Sequence, residues 1–181
     1  MHQPKLPRIR IATEADITAI THIYRHHVLH GTGTFEIEPP DAAEMQRRLQ
    51  LVLQRGLPWL VAESDGDVAG FAYANWFRER EAFRWTLEDS VYIDEQQRGQ
   101  GLGSALLQHL LQACALQGAR QLLAVIGDSA NEGSIALHLR HGFTHGGVLP
   151  AVGWKFGRWR DVVLMQKAIG PGASSPPAPS T

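Results

Sequence analysis

Cysteine is almost absent from this chain: Cys114 is the only one in 181 residues. One thiol forms no internal disulfide and no thiolate zinc cluster, which excludes a secreted disulfide scaffold. Long apolar runs are missing as well, and none approaches the roughly 18 residues of a membrane span. Charge of one sign is also lacking. The 17 Lys+Arg stand against 18 Asp+Glu, a formal net charge of -1, so the chain as a whole exerts no pull on nucleic acid or an anionic membrane. The first residues, Met1 to Arg10, carry Pro4 and Pro7 and no apolar core of the kind an export signal needs. These absences leave a cytoplasmic globular domain, long enough at this size to bury a core unaided.

Composition changes sharply once. From Gly170 to Thr181 the chain is Gly, Pro, Ser, Ala and Thr, with nothing apolar enough to offset the entropy of ordering, and a disordered tail is expected there. Residues 1–169 form the folded domain. Arg8-Ile9-Arg10-Ile11-Ala12 alternates as a half-buried strand. Thr13 with Asp16 has the form of a capping box, and the helix behind it buries Ile17, Ile20, Tyr24 and Val28. Asp41 and Glu44 open a second helix, with Met45, Leu49 and Leu53 as its buried line. Residues 59–63 and 68–74 read as a hairpin around Asp65-Gly66-Asp67. A longer strand follows from about Arg84 to Asp94, then a helix from Gly103 to Gln117. An apolar strand over 121–127 is expected to be buried on both faces. A short helix over 131–141 and strands over 143–149 and 161–167 complete the set. This order gives an α/β fold, a mixed sheet with helices on both faces.

The most informative stretch runs from Val91 through Arg98-Gly99-Gln100-Gly101-Leu102-Gly103-Ser104. A strand enters a loop with glycine at alternate positions, and the loop opens onto an amphipathic helix. Backbone N–H groups there can converge without Cβ obstruction, the helix terminus adds its unpaired donors, and Arg98 adds a full positive charge. The result is a phosphate cradle. No lysine stands where a Walker loop requires one, and Ser104 occupies the position of a dinucleotide fingerprint's third glycine.

Arg98-x-x-Gly101-x-Gly103 behind a strand resembles the acyl-CoA pyrophosphate loop of the GNAT superfamily of N-acetyltransferases. The run from Asn131 through Ser134 and His138 to Gly142-Phe143 is similar to that superfamily's second CoA motif. Further segments narrow the resemblance to the phosphinothricin and methionine sulfoximine N-acetyltransferases, from about Ile9 to Lys167. They include Arg78-x-Arg80, Trp85-Thr86-Leu87-Glu88, Val91-Tyr92-Ile93, Leu137-His138 and Gly153-Trp154-Lys155-Phe156-Gly157-Arg158-Trp159. The resemblance implies a mostly antiparallel GNAT-like sheet, splayed where acetyl-CoA inserts. It implies direct acetyl transfer, in a ternary complex, to a small amino-acid-like amine, and commonly a homodimer. Two alternatives stay open: acetylation of protein or peptide amines, and a non-catalytic acyl-CoA-binding module.

An alkylammonium must lose a proton before it attacks a thioester. The strand from Arg84 to Asp94 offers a base. Trp85, Leu87, Val91 and Ile93 point one way and Thr86, Glu88, Ser90 and Tyr92 the other. Glu88-Asp89 breaks the usual avoidance of carboxylates inside a strand, as functional sites do. The resemblance implies that Glu88 is the base and that His138, where many members have tyrosine, protonates the departing thiolate. Its ordinary pKa suits that task; packing within its own helix is the other reading. The resemblance further implies that backbone groups of Val91, Tyr92 and Ile93 meet the pantetheine arm and the thioester carbonyl. The loop from Arg98 to Ser104, with Asn131 and Ser134, would hold the rest of the donor. Arg78 and Arg80 would grip an acceptor carboxylate, with Phe35 and Thr86 beside it.

Other signals lead elsewhere. His22, His26 and His30 recur every four residues, but nothing else accompanies them, and a solvated helix face is expected rather than a metal site. Cys114 lies on an apolar stripe and reads as core, which argues against an acetyl-cysteine intermediate. The aromatic and basic run 154–160 reads as acceptor-site wall or dimer contact rather than a nucleic-acid surface.

Overall fold

The computed structural model describes residues 7–177. Pro4 and the last four residues of the expected tail lie outside that range. Strand β1 (Arg8–Ile11) leads through a 3-10 turn into helix α1 (Ile17–His30), and α2 (Ala42–Gln54) follows. Then come β2 (Trp59–Ser64), β3 (Asp67–Trp76), β4 (Thr86–Ile93), α3 (Leu102–Leu116), β5 (Gln121–Gly127), α4 (Glu132–Arg140), β6 (Thr144–Lys155) and β7 (Arg158–Ala168). The strands form one sheet in the order β1-β2-β3-β4-β5-β7-β6. Every pairing is antiparallel except β4 with β5.

Local chemistry sets the element ends. Thr13 and Asp16 form the expected capping box, and Asp16 also takes two bonds of 2.7 Å from the Arg10 guanidinium. The Asp41 carboxylate accepts from the Glu44 N–H at the start of α2. Asp65 and Gly66, both at positive φ, make the two-residue turn between β2 and β3. Phe156 and Gly157 do the same between β6 and β7.

The sheet carries helices on both faces. Tyr24 of α1 meets the rings of Phe71 and Tyr92, which are register partners on β3 and β4. Gly103 of α3 lies instead against Ile93, and His138 of α4 against Asp89, from the opposite side of β4. The core includes Trp59, Phe71, Leu106, Leu107, Leu110 and Leu122.

Several expectations shift. In α2 the buried line is Met45, Leu49 and Val52, while Leu53 is exposed, because the helix turns its i+3 position rather than i+4 to the sheet. In β5 burial alternates from Gln121 to Ile126, and Leu123 and Val125 are only half-buried. Strand β4 begins at Thr86 rather than Arg84, and β6 and β7 are longer than expected, with a bulge between Leu149 and Gly153. The tail begins with turns. The Arg120 guanidinium donates to the carbonyls of Gly172 and Pro176 at 3.0 Å.

Candidate active site

β4 and β5 pair only from Thr86↔Gln121 to Asp89↔Ala124. Beyond that rung β4 runs on to Ile93 along β3, β5 runs on to Gly127 along β7, and the two part. A cavity of about 810 Å³ fills the opening. Its walls are Ser90 to Ile93 on one strand, Ala124 to Ile126 on the other, the glycine loop with the start of α3, and α4. With no strand on the β5 side of residues 90–93, the backbone there has no ladder partner on that side, and of it the Ile93 carbonyl faces His27 Nε2 at 2.9 Å.

The loop is built as an anion site. Gly99 and Gly101 sit at φ 79 and 80, and a Cβ at either would meet nothing within 4 Å. Glycine is needed for the backbone turn, not for space. Gly101 caps α3 without any side-chain bond, which leaves the first N–H groups of the helix available. Arg98 lines the same cavity from an exposed position. Ser104 lines it too, its hydroxyl 2.8 Å from His141 Nε2. Asn131 caps α4 by accepting from the Ser134 N–H, and both residues line the cavity. An elongated ligand with a pyrophosphate and an extended arm matches these walls. Of the expected donor residues, Gln100 alone does not line the cavity; its amide donates to Gln97, which does.

Alternation along β4 sends two neighbouring carboxylates to opposite faces at the point where the strands part. Glu88 shares its face with Ser90 and Tyr92, under α1; Asp89 faces α3 and α4. Burial raises the Glu88 pKa, Asp89 raises it further, and Arg78 opposes both. Asp89 is buried, and its Oδ2 lies 3.0 Å from His138 Nε2. His138 is 3% exposed, and its Nδ1 lies 2.7 Å from the Ser134 carbonyl. Burial alone would pull the imidazole down, but the Asp89 carboxylate outweighs it and the His138 pKa is raised. His138 thus packs within its own helix and lines the cavity at once.

The expected acceptor residues lie outside the cavity walls. Arg78 is exposed, with its guanidinium 4.1 Å above the Phe77 ring, and Arg80 is exposed at the start of the next turn. Thr86 is half-buried at the head of β4. Phe35 is half-buried. Its ring lies on Gly153 of β6, where a Cβ would come within 1.9 Å of it, and close to Gly127.

Sequence reasoning missed three features. Asp89 was noticed only as a strand misfit. His27, whose Nε2 sits 2.9 Å from the Ile93 carbonyl, lines the cavity, and burial lowers its pKa. On the Glu88 face, Tyr24 bonds Thr34 and Glu36, Glu36 bonds Arg48, and buried Lys155 donates to the Thr34 carbonyl at 2.7 Å. In the four-residue histidine series His26 Nε2 lies 3.3 Å from Glu95 and the His26 and His30 rings are 4.9 Å apart; among the described residues no three His, Cys, Asp or Glu side chains group as metal ligands. Cys114 is buried in α3, and burial pushes its thiol up to about 12.

Comparison with known proteins gives a consistent picture. Residues 20–143 match the model of the acetyltransferase (GNAT) family. A phosphinothricin N-acetyltransferase of Alcaligenes faecalis is 50% identical over 93% of this chain and 86% of its own length. An L-methionine sulfoximine/L-methionine sulfone acetyltransferase of Pseudomonas aeruginosa is 42% identical over 93% of this chain and 98% of its own. Among solved structures, a phosphinothricin acetyltransferase from Sinorhizobium meliloti in complex with AcCoA superposes with a TM-score of 0.93 at 43% identity. That match covers 96% of this chain and 94% of the other.

Proposed function

The chain belongs to the acetyltransferase (GNAT) family, and from that membership we propose the following reaction. The enzyme moves acetyl from acetyl-CoA to the amino group of a small amino-acid-like acceptor of the phosphinothricin, methionine sulfoximine or methionine sulfone type. The observation that carries this reading is the splayed β4–β5 junction, with a donor-sized cavity on one face and an ionisable carboxylate on the other. Similarity to enzymes named for these acceptors supports the acceptor class.

In this reading acetyl-CoA enters from the side of α3 and α4. The α3 N-terminus, Arg98 and the glycine loop take its pyrophosphate, and backbone of Val91 to Ile93 holds the pantetheine arm. One N–H of that stretch binds the thioester oxygen as it gains charge. The acceptor approaches from the Glu88 face, with its carboxylate on Arg78 and Arg80 and its side chain against Phe35 and Thr86. Glu88, directly or through water, removes a proton from the acceptor ammonium. The neutral amine attacks the carbonyl, the C–S bond breaks, the new amide nitrogen releases its second proton to water, and His138 returns a proton to the thiolate. Buried Cys114, with its raised pKa, is unsuited to carry an acetyl group, which supports direct transfer.

A homodimer in the cytoplasm belongs to the same proposal. Strand β6 is an outer strand with Val148, Leu149, Val152 and Trp154 exposed, and Trp159 stands exposed beside it on β7. An apolar edge of that kind is normally covered. Among the described residues no helix is long and apolar enough to cross a membrane.

Thiol release from acetyl-CoA with a panel of amines tests the reaction. Release with methionine sulfoximine, phosphinothricin or a common amino acid is expected. Release with peptide amines only would overturn the acceptor class, and acetyl-CoA binding without release would leave a binding module.

A further inference from the structure

His138 has no free ring nitrogen. Nδ1 lies 2.7 Å from the Ser134 carbonyl, which accepts only, so that nitrogen carries a proton. Nε2 lies 3.0 Å from Asp89 Oδ2. The only ring atom that can change its proton therefore faces a carboxylate. Both side chains are almost fully enclosed, at 4% and 1% exposure. The Phe143 ring meets the imidazole edge-on at 4.9 Å and closes another side. Asp89 Oδ1 is buried and has no hydrogen-bond partner among the described residues, so the carboxylate's one bonded partner is His138.

The remaining groups around the pair cannot take over its proton. From α3 the Cys114 thiol feels Asp89 through space and is held neutral by its raised pKa. From the end of α4 His141 adds weak repulsion, and its own pKa is lowered. Strand β5 offers no titratable side chain between Gln121 and Gly127. On β4 itself, Glu88 points to the other face and reaches Asp89 only through space.

We infer that Asp89 is a positioning residue of the donor face, which holds His138 as an imidazolium against the cavity wall, ready to protonate the departing thiolate. This rests on the reading of His138 as the acid. The proton balance is direct. The Nε2 proton leaves its bond to Asp89 for the thiolate, which becomes CoA–SH; His138 is left neutral with its proton on Nδ1, and the Nε2 lone pair then faces Asp89. That arrangement is unfavourable in a closed site, so the pair recovers a proton from solvent before the next turnover. Raising an imidazole toward the thiol range also brings donor and acceptor closer in proton affinity, as efficient transfer requires. The two neighbouring carboxylates of β4 thus divide the reaction: Glu88 serves the amine on one face and Asp89 serves the thiolate on the other.

Asp89→Asn tests this because the amide oxygen can still accept from Nε2–H while the charge is gone. Acetyl-CoA affinity and melting temperature should stay close to wild type. The kcat should fall by about tenfold or more, and its alkaline limb should move to lower pH. The ¹⁵N signals of His138 should lose their imidazolium form at a correspondingly lower pH. Asp89→Asn combined with His138→Gln should be no slower than His138→Gln alone. An unmoved alkaline limb, or independent losses in the double variant, would overturn the role of Asp89 while a slow His138→Gln enzyme kept the acid reading intact. His138→Gln at wild-type rate and pH profile would overturn the acid reading itself, and the route through Asp89 with it.

Discussion

Replacing Gly101 by alanine isolates what the glycine loop contributes. Gly101 sits at φ 80, and an added Cβ would meet nothing within 4 Å. Packing therefore costs nothing, and what remains is the price of the left-handed backbone in an L-residue, about 1–2 kcal/mol. Gly118, past the end of α3, is a matched control, with φ 83 and again nothing within 4 Å, but away from the cavity. The two variants carry the same intrinsic strain and differ only in place. Gly118→Ala should lower unfolding stability by about 1–2 kcal/mol and leave acetyl-CoA binding unchanged. In Gly101→Ala the free loop can relax out of the strained conformation, and a bound pyrophosphate must restore it. The same energy then appears in affinity, as a Kd raised by about 5- to 30-fold in titration calorimetry. Unchanged affinity in Gly101→Ala, or equal weakening in Gly118→Ala, would refute the cradle.

Three further outcomes follow from the geometry. Because burial and Asp89 raise the Glu88 pKa, the acid limb of the kcat/KM profile should lie above the ordinary carboxylate value of about 4.3; Glu88→Gln should abolish that limb and slow turnover by about 100-fold or more, and a retained limb would remove Glu88 as base. Gly153→Ala should force the Phe35 ring from its seat, cost about 1–3 kcal/mol and raise the acceptor KM without weakening acetyl-CoA; Phe35→Ala in the same chain should restore the stability, and a failure to do so would discount the contact. Arg10 and then Thr13 hold the buried Asp16 carboxyl at about 2. A depressed carboxyl stabilises the fold above its unfolded value and loses that contribution as pH falls through the folded one. Asp16→Asn should therefore cost about 2 kcal/mol at neutral pH, and the gap in urea midpoints should close as pH drops from about 4 to about 2; a gap independent of pH would contradict the pairing.

Local chemistry was readable in the sequence because each signal sits within a few residues. The capping box at Thr13 and Asp16, the Asp41 cap, the two-residue turn at Asp65 and the strand–loop–helix of the phosphate cradle all follow from residues close together in the chain. Alternation along β4 was also legible, and it separates Glu88 from Asp89. What escaped depends on contacts between distant segments. Val52 rather than Leu53 is buried because packing chooses between two apolar neighbours that both fit a helical stripe. The seat of Phe35 is Gly153, more than a hundred residues on, and nothing local to Phe35 announces it. The Asp89–His138 pair spans 49 positions, and nothing local to either residue announces the other. The splay itself is a property of register: it exists because β4 and β5 stop pairing at Asp89 and Ala124 while each keeps its outer partner.

The most direct measurement is product identification by mass spectrometry and NMR after incubation of the enzyme with acetyl-CoA and methionine sulfoximine or phosphinothricin. The account predicts one acetyl group per acceptor, on the α-nitrogen, with stoichiometric release of free CoA and no product from an N-blocked acceptor. Acetyl recovered on the protein's own side chains, or CoA released with no acetylated amino acid, would contradict it.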